Sequence, residues 1–211
     1  MIIEFCGLPG SGKTSVSKSL AHAGENFTRV EFINKSQRYF FTVKFILCHP
    51  VQFLFWLKLL FEFNDLWQYK LHLLLVSFAR QALAESLNKS DNYILIDEGL
   101  MQRFFSIIDR PLARQEFLTL LNGCVLPEAI TVVLGGDFKR FLTDSNYFKS
   151  PRWLKGEDYL KNWITAFENN FQVFCSILEN EPKVKLIKIK GSGEGEEVES
   201  LSSIKLQLNN I

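Results

Sequence analysis

The sequence lacks the spacing of a metal knuckle. Its four cysteines, Cys6, Cys48, Cys124 and Cys175, are scattered along the chain, and His22, His49 and His72 do not complete a zinc ligand set. The thiols read as buried, reduced side chains of a cytosolic protein. A strong charge of either sign is also missing. With 24 basic and 23 acidic residues the net charge is +1, which predicts no strong general attraction to nucleic acid or anionic lipid and leaves only local basic clusters for either. No basic stretch precedes the apolar opening residues, so a secretory leader is not expected. The longest run without a charged residue, 45–57, is thirteen residues and contains His49, Pro50 and Gln52. A membrane span needs about 20 apolar residues. There is no internal repeat and no long linker. These absences leave one cytoplasmic domain of ordinary size, and 47% hydrophobic residues are enough for a large core.

The hydrophobic pattern predicts strands at 2–6, 29–33, 93–96, 130–134 and 184–189, each short and apolar. Between them lie segments of helical period. A helix from Lys13 to Ala23 places Val16, Leu20 and Ala21 on one face, with Gly24 as its C-terminal cap. Residues 37–89 are helical and very apolar, with Pro50 opening a new helix and Asn64-Asp65 marking a break. A helix is expected over 111–121. A longer one over 157–178 repeats Leu160, Trp163, Ile164, Phe167, Phe171, Phe174 and Leu178 at three- and four-residue steps. A turn at 191–197 and a closing helix follow. Strands alternating with helices predict an α/β three-layer sandwich with a five-stranded parallel sheet.

Gly7-Leu8-Pro9-Gly10-Ser11-Gly12-Lys13-Thr14 fits the phosphate-loop pattern G-x-x-x-x-G-K-[ST] without a mismatch, and it lies between a strand and a helix as that loop must. Glycines let successive N–H groups curl toward phosphate oxygens. The helix start, including Ser15, adds the positive end of its dipole. Lys13 is placed to reach the β- and γ-phosphates and Thr14 to ligate Mg²⁺. A carboxylate near that metal is expected at the end of a neighbouring apolar strand, where Asp97 follows Tyr93-Ile94-Leu95-Ile96. Glu98 reads either as a metal-side group or as a base toward an acceptor hydroxyl. Arg103 reads either as a contact to an anionic substrate or as a partner of a carboxylate. The base-reading motif N-K-x-D is absent, so ATP is expected rather than GTP.

These two segments, with Leu126-Pro127-Glu128 before the fourth strand, resemble the small P-loop nucleoside and nucleotide kinases, the thymidylate-kinase-like group in particular. The resemblance implies a lid over 137–156 carrying cations that neutralise the transferring phosphoryl group. Arg140, Lys149 and Arg152 are the candidates, although the closely spaced lid arginines of that group are not present. It also implies an acceptor contact after the second strand. Glu31 is placed to accept a hydroxyl proton and Arg38 to bind an acceptor phosphate, or both are solvated side chains at a helix start.

The segment 39–78 holds twelve aromatic residues. It reads as helices walling the acceptor site, or as a hairpin touching a membrane surface or a hydrophobic partner, with Lys44, Lys58 and Lys70 at its flanks. A second copy of the chain is a further possible partner. The function expected is ATP- and Mg²⁺-dependent phosphoryl transfer to a small acceptor, a nucleoside or nucleoside monophosphate. The alternative is an ATP-binding switch or slow ATPase acting through its hydrophobic helices.

Overall fold

The computed structural model describes residues 1–23, 26–63, 66–88, 92–124, 126–134, 151–182 and 184–190, with the side chains of 23, 131–134, 153 and 190 outside that description. Five strands, β1 (Ile2–Gly7), β2 (Phe27–Arg29), β3 (Tyr93–Ile96), β4 (Ala129–Leu134) and β5 (Lys185–Lys190), form one parallel sheet in the order β2-β3-β1-β4-β5. Its central strand is buried on both faces, as a parallel sheet covered by helices requires. Alternate residues of β1 go to opposite sides. Ile3 and Phe5 pack with Val16 and Leu20, whereas Ile2 packs with Leu83 and Ala84 and Cys6 joins the large aromatic core.

The helices are α1 (Lys13–Ala23), α2 (Lys35–Cys48), α3 (Pro50–Glu62), α4 (Trp67–Leu87), α5 (Leu100–Ile107), α6 (Arg114–Asn122) and α7 (Glu157–Leu178). Asn34 starts α2, its side chain accepting from Gln37 N at 2.8 Å, while Gln37 reaches back to Ile33 N at 2.7 Å. This reciprocal cap satisfies two otherwise orphaned donors. Pro50 occupies the first turn of α3, as expected, and the chain bends by 104° between α2 and α3. The core is built on phenylalanine. Phe45 of α2 stacks on Phe78 of α4 at 4.4 Å, and Phe105 lies within ring contact of Phe117, Phe167, Phe171 and Phe174. Each such ring, once buried, contributes about 2–3 kcal/mol. Lys70 is buried beneath this core and donates to the carbonyls of Phe63 and Ile107 and to Asp109. Those acceptors match the three donors of an ammonium, which is how a cation is tolerated there.

Three expectations need correction. The second strand is Phe27–Arg29 rather than 29–33, because Phe27 registers with Tyr93 and Arg29 with Leu95; Ile33, beyond it, is 86% exposed. The helix expected from 111 begins at Arg114, with Glu116 accepting from Ala113 N. Helix α5 was not expected at all: two turns are too short to show a period, and all eight of its residues are buried, Gln102, Arg103 and Ser106 included. The Gly24 cap, the Asn64-Asp65 break, Arg140, Lys149, the lid positions 137–150, the turn at 191–197 and the closing helix lie outside the described residues.

Candidate active site

The chain leaves β1 toward β2 on one side and leaves β3 toward β4 on the other, although β1 and β3 are adjacent. Their carboxyl ends therefore flank the point where the direction of winding reverses, which is where open α/β sheets bind ligands. The phosphate loop leaves β1 there, and Asp97 follows β3.

Gly10 and Gly12 take φ of 77° and 86°, a left-handed backbone that a side chain would strain. Ser11 N donates to Leu8 O at 3.1 Å, and Val16 N donates to Gly12 O at 3.0 Å as α1 begins. The Ser11 hydroxyl is buried without a hydrogen-bond partner among the described residues. Lys13 is buried, and its ammonium donates to the Gly7 and Leu8 carbonyls at 2.9 Å each. Burial pulls its pKa down, against the opposing field of Glu98. Gly7 N donates to the Gln102 side chain at 3.0 Å, fixing the loop's first residue to α5. Thr14 and Ser15 are exposed at the mouth.

Asp97 is buried and held from two elements. Ser17 of α1 donates to it, and Arg29 of β2 grips both its oxygens, with Nε at 3.0 and 3.1 Å. The same guanidinium reaches Glu31, which is 65% exposed, and its hydrogen bond to Asp97 raises its own pKa. Glu98 pairs with Arg103 at 2.9 Å and with Arg80 at 3.7 Å. Arg103 is fully inside, with its Nε on the Ser77 hydroxyl at 2.7 Å. Burial would raise the Glu98 pKa, but Arg103, Arg80 and Lys13 together bring it below the ordinary carboxylate value. Burial lowers the pKa of Arg80, against Glu98.

Beneath this cluster Glu4 of β1 accepts from Gln102 N at 2.9 Å and from Cys6 Sγ at 3.8 Å. Burial pushes its pKa up to about 7 despite the donors at the start of α5. Gly99 packs directly above it, and a Cβ there would lie 2.4 Å from the Glu4 carboxyl carbon and force that side chain to shift.

The structure thus brings Lys13, Ser17, Arg29, Glu31, Arg80, Asp97, Glu98, Gln102 and Arg103 to one sheet edge. Two expected residues are placed elsewhere. Arg38 lies over the Tyr39 ring at 5.5 Å on α2. Arg152 is buried, its guanidinium on Ser106 O and over the rings of Trp163 and Tyr69 at 4.4 and 5.2 Å. In this arrangement it ties the segment before α7 to α5 and does not meet the loop. Arg29, Arg80, Ser77, Ser17, Gln102 and Glu4 were not foreseen. Of these only Glu4 carried a signal, a charge within an otherwise apolar strand.

The donor set suits a triphosphate and its metal. Curled glycine amides, a lysine and an idle buried hydroxyl suit phosphate oxygens. One carboxylate and one hydroxyl suit Mg²⁺, which takes few protein ligands and completes its shell with phosphate and water. No cluster of three or more His, Cys, Asp or Glu side chains forms a self-sufficient metal site among the described residues.

A solved structure shares this architecture. A deoxyadenosine kinase from M. mycoides superposes with a TM-score of 0.54 over 100% of both chains at 12% identity. The likeness is one of fold. A thymidylate kinase from Candida albicans, 16% identical, aligns over 99% of this chain and 89% of its own with a TM-score of 0.48. No protein-family model and no curated protein sequence matches the chain.

Proposed function

We propose that the chain is an ATP- and Mg²⁺-dependent phosphotransferase whose acceptor is a nucleoside or nucleoside monophosphate. One observation carries this reading: a complete phosphate loop at the end of β1 faces a paired acidic and basic cluster at the end of the adjacent β3. The loop amides, Ser11 and Lys13 bind the β- and γ-phosphates, with the Lys13 ammonium exchanging the Gly7 and Leu8 carbonyls for phosphate oxygens. Thr14 would ligate Mg²⁺ and Asp97, whose oxygens Arg29 and Ser17 engage, would hold it through its water shell; the ion when bound neutralises charge on the phosphate oxygens. In the transfer, the acceptor oxygen bonds to the γ-phosphorus, the bond from that phosphorus to the oxygen bridging to the β-phosphate breaks with ADP as the leaving group, and the acceptor proton passes to solvent.

Glu98 is kept ionised by its arginines, so it acts as a hydrogen-bond acceptor that orients the incoming hydroxyl rather than as a strong base. Little more is required, because phosphoryl transfer is mainly a matter of positioning and charge stabilisation. Arg80 and Arg103 supply positive charge beside the transfer path. The lid role then falls to Arg140 or Lys149, since Arg152 is engaged by Ser106 and two rings. The nucleotide acceptor class is supported by the fold shared with a deoxyadenosine kinase whose structure holds dCMP and dCDP.

The test is incubation of the chain with radiolabelled ATP, Mg²⁺ and a panel of nucleosides and nucleoside monophosphates, followed by chromatography. Label appearing on one acceptor supports the reading. Slow release of inorganic phosphate with no labelled acceptor supports a switch instead.

A further inference from the structure

Helices α2 and α3 bury one side against α4 and α5 and leave the other in solvent. On the outer side stand Phe40, Val43, Leu47, Val51, Leu54 and Phe61, which are 54–76% exposed. The first five follow at three- and four-residue steps and Phe61 lies seven residues beyond Leu54, so an apolar stripe runs along α2 and resumes on α3 past the bend. Exposure is greatest where the chain bends by 104°: Leu47 is 76% and Val51 75% exposed. Cys48 and Pro50 beside them are exposed too. The stripe therefore peaks at a protruding corner. Taken together the two helices are as apolar as a membrane span, yet no single helix among the described residues is long and apolar enough to cross a membrane.

Charge decides what the corner fits. Residues 35–62 contain Lys35, Arg38, Lys44 and Lys58 against a single carboxylate, Glu62 at the far end of α3, and at the bend Glu85 of α4 is paired with His49 at 2.9 Å. In a two-fold contact with a second copy the same patch meets itself, so these cations would be gathered against one another. An anionic lipid surface instead takes the apolar corner into its acyl boundary and the cations into its headgroups.

We propose that the α2–α3 corner is a docking face for anionic phospholipid, on which the protein rests without spanning the bilayer. This inference stands independently of the phosphotransferase reading. The experiment is co-sedimentation of the full chain with vesicles of phosphatidylcholine alone and of phosphatidylcholine with phosphatidylglycerol in equal parts. Binding to the anionic vesicles is expected, weakening as salt is raised and falling about tenfold or more in the variant L47D/L54D. Substitutions at such exposed positions leave thermal unfolding nearly unchanged. K58E leaves the stripe intact and keeps the test decisive if the double variant misfolds; it is expected to weaken anionic binding about tenfold. The proposal is overturned if the chain ignores anionic vesicles, or if both variants bind as the parent does. It is equally overturned if lipid-free sedimentation shows a dimer that L47D/L54D dissociates, which assigns the face to a second copy.

Discussion

Lys13 and Asp97 sit at the ends of neighbouring strands, and each is engaged by protein groups, Lys13 by two loop carbonyls and Asp97 by Ser17 and Arg29. Replacing Lys13 with alanine removes the one loop cation, so nucleotide binding is expected to weaken about a hundredfold or more, read by titration with a fluorescent ATP analogue. Arg29 carries structural weight as well. Arg29→Gln leaves the buried Asp97 without its cation and is expected to cost about 3 kcal/mol, measured by urea unfolding; unchanged stability would show that Ser17 alone satisfies the carboxylate. The positions of Lys13 and Asp97 were legible because they follow from adjacent residues: a loop motif, and a strand followed by an acid. Arg29 was not, because its partner lies 68 positions away. For Arg152 the charge was visible in the sequence, but its packing was not, since the rings it lies over come from Tyr69 and Trp163.

At the scale of elements, α5 is fastened to β1 by Glu4, whose carboxylate lies under Gly99 and accepts from the first turn of the helix. The protonated form is favoured in the fold, with a pKa raised from 4.5 to about 7. The folded protein therefore holds a proton that the unfolded chain releases above pH 4.5. Stability from this group is fully present below about 4.5 and is lost as the pH rises to about 7, a change on the order of 3 kcal/mol. Glu4→Gln mimics the protonated form and is expected to flatten that slope in pH-dependent unfolding curves. Gly99→Ala forces a methyl into the carboxyl group and is expected to cost about 1–3 kcal/mol and to loosen the loop at Glu98. Thermal unfolding checks the first effect. Helices α1 and α7 were read at their observed bounds, because each is long and strongly one-sided. The start of α6 and all of α5 depended on caps and burial contributed by other elements.

For the molecule as a whole, nucleotide and stability are linked. A ligand at about a hundred times its dissociation constant adds about 2.7 kcal/mol to the native state, which for a chain of this size is a rise of about 5–10 °C in melting temperature. That rise is expected with Mg²⁺ and ATP together and is expected to be smaller with ATP in chelator; scanning fluorimetry distinguishes the two. The sequence by itself determined the phosphate loop, four of the five strands to within a residue, and the α/β architecture, because backbone curvature and hydrophobic period are local properties. Tertiary structure alone decided which distant side chains converge where the winding reverses, which arginines are spent on packing, and which face of the aromatic helices meets solvent. Those outcomes depend on strand order and on competition for burial among residues far apart in the chain, and no local pattern encodes either.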